Sequence, residues 1–384
     1  MALNITNSLR QNQSVRISLS QKLCLLAAGI SCLSFAASAH AFETKARNAI
    51  LMDYETGAYL FTKNHQEMIA PASMSKLMTV YVLLSKLKDG EISLDDKFTV
   101  SENAWRKGGA ASGGSTMFLK IGQEVRVEDL LKGILIQSGN DACIVVAENL
   151  AGSEAEFAAM MNETAEKIGL HNAHFENATG LPHPEHKISV EDLALLARRI
   201  IGEFPEFYHL FSTKEFTFNG IRQGNRNPLL YSLKGADGLK TGHTSEAGFC
   251  LTGSAVRNNR RLIEVMAGLE SNKQRSEETE SLMTWGFANF DNYKFFNENQ
   301  IMAEVPVWYG TVKTVDAVVP EKVVRTIKKS GKSKYGDKIG ELFITYEDET
   351  VDKIPLVAKD NVAKIGPFSR FLANLKYFVF GTGE

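Results

Sequence analysis

An α/β fold with a mostly antiparallel sheet, followed by a small all-β domain and a terminal amphipathic helix, is what this sequence predicts. Three observations lead there. Strand-type runs near residue 50 and from 238 to 267 flank a long stretch, 100–211, of mostly helical pattern. Beyond residue 293 the chain turns to short β-type runs between polar turns. In 367–380, Phe368, Phe371, Leu372, Leu375, Phe378 and Val379 share one helical face.

The first 41 residues read as a secretory signal peptide. Arg10, Arg16 and Lys22 precede the apolar run LCLLAAGISCLSFAASA, no acidic residue comes before Glu43, and Ala39-His40-Ala41 offers a small-residue cleavage site. The run is short for a spanning helix, so cleavage after Ala41 is expected. It removes three basic groups, moves the net charge from −2 to −5, and leaves Cys143 and Cys250. Two cysteines in apolar surroundings are expected as buried thiols, not as a disulfide framework. The low net charge, with no dense basic cluster, argues against nucleic-acid binding.

Two apolar runs, 49–53 and 58–61, flank a Gly-containing turn and read as a β-hairpin. Pro71 announces a helix, with Leu77, Val80, Tyr81 and Leu84 at helical spacing and Asp89-Gly90 closing it. Residues 127–137 and 141–150 read as helices joined by the turn Ser138-Gly139-Asn140. Ser153 with Glu156, and Ser189 with Asp192, open two more helices. Strand patterns return at 238–242, 248–256 and 261–267, and a helix follows at 273–290. Runs at 305–309, 311–319 and 342–346 supply the β domain. The expected division is 1–41 signal peptide, 42–294 catalytic domain, 295–362 β domain and 363–384 helix. That last helix is too short to span a bilayer but suits the membrane interface; packing on its own protein is the alternative.

Within the Pro71 helix the pattern S-x-x-K occurs twice, as Ser73–Lys76 and Ser85–Lys88. A serine one turn from a lysine is either an activated nucleophile or a pair of polar residues on a wet helix face. Ser73 sits at the helix start, near unpaired N–H groups and the positive end of the dipole. Ser85 and Lys88 sit at the other end, where a lysine simply complements the C-terminus. Two distant elements favour the first pair. Ser138-Gly139-Asn140 is a polar turn between apolar helices. Lys240-Thr241-Gly242 sits in a strand, its glycine leaving room for a substrate backbone.

In this order and at these separations, S-x-x-K, S-x-N and K-T-G resemble the low-molecular-mass penicillin-binding proteins, the serine-type D-alanyl-D-alanine carboxypeptidases. The resemblance covers essentially the whole mature chain: LIQSGNDAC at 135–143, EFTFNGIRQGNRN at 215–227, DGLKTGHT at 237–244, TWGF at 284–287, PVWYG at 306–310 and the terminal helix. It implies a β-lactamase/transpeptidase-like catalytic domain, with an antiparallel sheet and a helical lobe. It also implies removal of the terminal D-alanine from peptidoglycan stem peptides through an acyl-enzyme, inhibited covalently by β-lactams. Ser73 would be the nucleophile, Lys76 its base and Ser138 the proton relay. Asn140 would hold Lys76 and the substrate backbone, and Lys240 and Thr241 would take the substrate carboxylate beside Gly242. The N–H groups of Ser73 and His243 would form the oxyanion hole, and Arg275, in QRSEE, a further carboxylate contact. Lys76 serves only when neutral, and burial together with the charge of Lys240 would lower its pKa. No cofactor or metal is implied. The location implied is the periplasm, on the outer face of the inner membrane.

Rival readings are weaker. A class A β-lactamase has Asp where Gly139 stands and needs a glutamate in E-x-x-x-N context; after Glu176 the Asn position holds Gly180. A zinc peptidase would use His171 with His174, or His183 with His186, but no H-E-x-x-H occurs and Pro184 interrupts the second pair. Solvated loop histidines are expected instead. A DD-endopeptidase on the same site, or a non-catalytic peptidoglycan-binding shape protein, remains an alternative. Arg222, Arg226 and Asn227 fit structural pairing as well as substrate contact, and Trp285 and Trp308 read as core aromatics.

Overall fold

The computed structural model describes residues 42–306, 314–329, 338–345 and 351–357. The expected signal peptide, Trp308 and the expected terminal helix lie outside the described residues.

Five strands form the central sheet: β1 (Asn48–Asp53), β2 (Tyr59–Lys63), β3 (Ala236–Thr244), β4 (Gly248–Arg257) and β5 (Arg260–Leu269), in the order β3-β4-β5-β1-β2. Every neighbouring pair is antiparallel. The sheet thus joins the N-terminal hairpin to three late strands, as the sequence pattern predicts. Successive strand residues point to opposite faces, and both faces are covered. Ile50, Met52, Ile263, Val265 and Ala267 pack into the large core under the helical lobe. Leu51, Leu262 and Met266 pack on the other face with Leu282, Met283 and Phe287.

The lobe holds α1 (Lys76–Lys88), α2 (Asn140–Ala151), α3 (Glu154–Lys167) and α4 (Val190–Glu203); α5 (Asn272–Asn289) covers the opposite face. Ser153 and Ser189 cap α3 and α4, their hydroxyls accepting from the N–H of Glu156 and Asp192. Helix α1 is buried along almost its whole length, so it is a central helix of the lobe and not an amphipathic surface element. Cys143 and Cys250 are buried free thiols, as expected. Trp285 packs among Phe42, Phe61 and Phe290.

The strand Phe290–Phe296 follows α5 directly and pairs with Val323–Lys328, so the expected division at 294/295 falls within it. Two more antiparallel pairs follow, Ile301–Pro306 with Thr314–Val318 and Lys338–Thr345 with Val351–Val357. The Phe290 carbonyl accepts from Arg260 at 2.7 Å, and Asn292 donates to Asp53 at 3.0 Å. Asp53 is fully buried and paired with Arg260 at 2.8 Å. The β region is thereby tied to one end of the two inner strands β1 and β5 of the catalytic sheet.

Candidate active site

Pro71 opens a 3-10 turn, Ala72–Ser75, that runs straight into α1. Ser73 therefore lies in the turn ahead of the α-helix, where the sequence pattern puts it just inside. Lys76, the first residue of α1, is fully buried. Its ammonium donates to Ser73 Oγ at 3.1 Å, Asn140 Oδ1 at 2.8 Å and the Thr179 carbonyl at 2.5 Å. Three donors meet three acceptors.

Burial pushes the Lys76 pKa down to about 8; Cys143 and Asp141 oppose the shift and the Arg226 charge adds to it. Arg226 thus joins Lys240, the neighbour the sequence reading expects, among the cations around Lys76. Lys240 is itself buried, and burial first, then Lys76 and Arg226, hold it well below the usual lysine value. Two ammonium groups buried close together disfavour each other's charge.

Ser138 ends a π-type segment, Gly133–Gln137, and sits in the left-handed region at φ 63° and ψ 34°. A non-glycine residue held there is strained, and such strain gathers at functional positions. The conformation turns Ser138 into the cleft. Its Oγ is buried with no hydrogen-bond partner among the described residues. Asn140 follows at the start of α2, its N–H donating to the Ser115 carbonyl at 2.7 Å.

The cleft measures about 580 Å³. Its walls include Ser73, Ser138, Thr241, Gly242, His243 and Arg275. Lys76, Asn140 and Lys240 lie buried behind the wall, with Lys240 Nζ donating to the Thr241 carbonyl at 2.9 Å. The structure therefore gathers all nine residues singled out in the sequence. One rationale changes. A Cβ on Gly242 would sit 3.0 Å from the Pro71 carbonyl oxygen and 3.1 Å from Ala72 Cβ. What the missing side chain accommodates is the protein's own Ser73 turn, rather than an approaching substrate backbone.

Arg275 reaches the cleft from α5, donating to the carbonyls of Gly242 and Cys250 at 3.3 Å and lying over the Phe249 ring. Burial lowers its pKa to about 10, which still leaves it a cation at neutral pH. Arg226 and Ser115 also line the cleft, with Arg226 donating to Ser115 Oγ at 2.6 Å. The sequence reading sets Arg226 aside and passes over Ser115, since neither belongs to a spaced motif. Arg222 is exposed and pairs with Glu215 across its hairpin. Asn227 is buried, holding the Gly238 carbonyl at 2.7 Å.

Glu176 is a loop carboxylate bonded to His174 at 2.8 Å. The expectation of solvated histidines holds for His171, His174 and His183 but fails at His186, which is buried. Its two ring nitrogens meet the Glu176 N–H and the Ser75 hydroxyl, so the loop and the turn ahead of α1 together shield it.

Residues 35–271 match the family described as D-alanyl-D-alanine carboxypeptidase, and 290–335 match the penicillin-binding protein 5 C-terminal domain. D-alanyl-D-alanine carboxypeptidase DacD of Escherichia coli (strain K12) is 40% identical over 347 residues, spanning 85% of this chain and 89% of the relative. The crystal structure of penicillin binding protein 5 from Haemophilus influenzae aligns with a TM-score of 0.73 at 34% identity, covering 84% of this chain and 99% of that one. That of penicillin binding protein 6B from Escherichia coli gives 0.69 at 38% identity, covering 84% and 98%.

Proposed function

The chain belongs to the D-alanyl-D-alanine carboxypeptidase family and is a serine-type enzyme of that class; on that premise we propose that Ser73 is its nucleophile and Lys76 the base. The carrying observation is Lys76 Nζ at 3.1 Å from Ser73 Oγ, fully buried, with a pKa brought down to about 8. A neutral amine at that distance can take the serine proton as Oγ bonds to the carbonyl carbon of the terminal D-Ala–D-Ala bond. The N–H groups of Ser73 and His243 receive the developing oxyanion. When the C–N bond breaks, Ser138, its hydroxyl without a partner among the described residues, passes a proton from Lys76 to the leaving amine. Water then attacks the ester, and the serine proton is restored.

The substrate is peptidoglycan stem peptide, and the same site binds β-lactams. Thr241, with Arg226 and Arg275 in the wall, supports recognition of a free terminal carboxylate; Lys240 supplies charge from behind. The test is D-alanine release from an N-acylated L-Lys-D-Ala-D-Ala peptide and from its C-terminal amide. Cleavage of the acid alone, lost in Ser73→Ala, supports the assignment. Equal cleavage of the amide would remove the carboxylate clamp from it.

We infer further that residues 1–41 export the chain to the periplasm and that 363–384 hold it on the outer face of the inner membrane, with 295–362 as a spacer. The apolar face and basic residues of the terminal segment support this reading. No helix among the described residues is long and apolar enough to cross a membrane. A truncation ending near Lys364 should leave the membrane fraction; continued sedimentation with membranes would refute the anchor.

A further inference from the structure

His186 is 2% exposed, and both ring nitrogens are engaged. Nδ1 accepts from the Glu176 N–H at 3.0 Å, and Nε2 lies 2.6 Å from Ser75 Oγ. A backbone N–H only donates, so Nδ1 is unprotonated, the proton sits on Nε2, and the ring donates to Ser75. Ser75 is fully buried and immediately precedes Lys76.

Between Glu176 and His186 the chain folds over the start of α1. The Ala178 carbonyl accepts from Thr79 Oγ1 at 2.7 Å, and the Thr179 carbonyl accepts from Lys76 Nζ at 2.5 Å. Gly180, at φ 76°, approaches Ala72 so closely that a Cβ would sit 2.0 Å from its carbonyl oxygen. Asn177 Oδ1 gathers the N–H groups of Thr179, Gly180 and Leu181. The loop thus presents one backbone carbonyl, that of Thr179, to the base, and His186 bonds its two ends to the segment that carries the base.

We propose that His186 is a positioning residue for the reaction: it bolts the 176–186 loop to Ser75 and so keeps the Thr179 carbonyl on the Lys76 ammonium and water away from it. The proposal rests on Lys76 being the base, as assigned above. Burial is the largest cause of the lowered Lys76 pKa. A loosened loop would admit water and let that pKa climb back toward its ordinary value. The charged or titratable groups acting on Lys76 are Cys143, Arg226 and Asp141, with Lys240 buried beside them; Glu176, His174, His183 and Lys76 act on His186. Burial lowers the His186 pKa to about 4. The imidazole is therefore neutral across the range in which Lys76 titrates, and a profile taken there reads Lys76.

The test is the second-order rate of acylation of the full chain by benzylpenicillin from pH 6 to 10, normalised to the fraction of molecules that finally acylate. His186→Leu should slow acylation at pH 7.5 about tenfold and move the rising limb up by about one pH unit. His186→Gln keeps an acceptor for the Glu176 N–H and a donor for Ser75, and should stay within about twofold of wild type. Ser75→Ala should shift the limb in the same direction, and the double variant His186→Leu/Ser75→Ala should be no slower than His186→Leu alone. A normalised rate and limb unchanged in His186→Leu, whatever its melting temperature, would overturn the proposal. If His186→Leu does not fold, an unshifted limb in Ser75→Ala does the same. Failure of the underlying assignment shows separately, as wild-type acylation with no rising limb or acylation of Ser73→Ala.

Discussion

Helix α1 and the turn before it carry the same four-residue pattern at both ends, and the two copies behave differently. At one end, Lys76 is sealed from solvent and bonds to Ser73, Asn140 and Thr179. At the other, Ser85 Oγ donates to the Tyr81 carbonyl one turn back, and Lys88 donates to the Glu203 carbonyl and lies over the Phe204 ring. Ser85 thus spends its proton on the helix itself, a common fate of a mid-helix serine. Lys88 lies at the C-terminus of its own helix, where a lysine complements the dipole, and its bond goes to the last carbonyl of α4. What separates the copies is burial and long-range partners, which the local pattern does not encode.

The largest break in the comparison comes from the serines. Ser73→Ala should reduce benzylpenicillin acylation by at least about 10³-fold, followed by intact mass, while Ser85→Ala acylates at the wild-type rate. Next come the lysines. Lys76→Met should slow D-alanine release by about 10²–10⁴-fold, against no change for Lys88→Met. A comparable loss in both variants would mean that the helix, and not the site, had been damaged.

Asn140→Ala leaves a buried ammonium donor without its partner and should cost about tenfold in acylation. The pH profile sharpens the contrast further. On the proposed mechanism the neutral amine is the active form, and burial puts the Lys76 pKa at about 8, so wild-type acylation should rise with pH up to about 8 and then level. A flat profile from pH 6 to 9 would separate Lys76 from the base role.

The smallest effect is one of stability. The folded-state pKa of His186, lowered by burial to about 4, lies below the 6.5 of a free imidazole. Between those values the unfolded chain binds more protons, so stability is full above pH 6.5 and falls as the pH drops toward 4. The loss should reach roughly 2–4 kcal/mol, visible as a falling melting temperature that His186→Gln flattens.

Much of this was legible in the residues. The caps at Ser153 and Ser189, the hairpin, the three late strands and α5 follow from local chemistry and fall where the patterns place them. The order of S-x-x-K, S-x-N and K-T-G pointed to residues that do converge on one cleft. Other parts left no local trace. The acceptor that completes the Lys76 shell is a backbone carbonyl, Thr179, which any residue there would supply. Arg226 and Ser115 meet at 2.6 Å across a long sequence separation, and no spacing rule links them. His186 stood among exposed histidines, and only the fold of the loop over Ser75 distinguishes it. The strands Val323–Lys328 and Val351–Val357 show no clear apolar alternation, because charged residues interrupt it.

The central claim is that Ser73, activated by Lys76, is the acylated residue. Intact mass of the protein against time after mixing with benzylpenicillin, beside Ser73→Ala, tests it most directly. A lasting one-to-one adduct on the wild-type chain and none on the variant is the predicted result. An equal adduct on both chains, or none on either, would contradict it; rapid drug hydrolysis with only a fleeting adduct would make the site a β-lactamase.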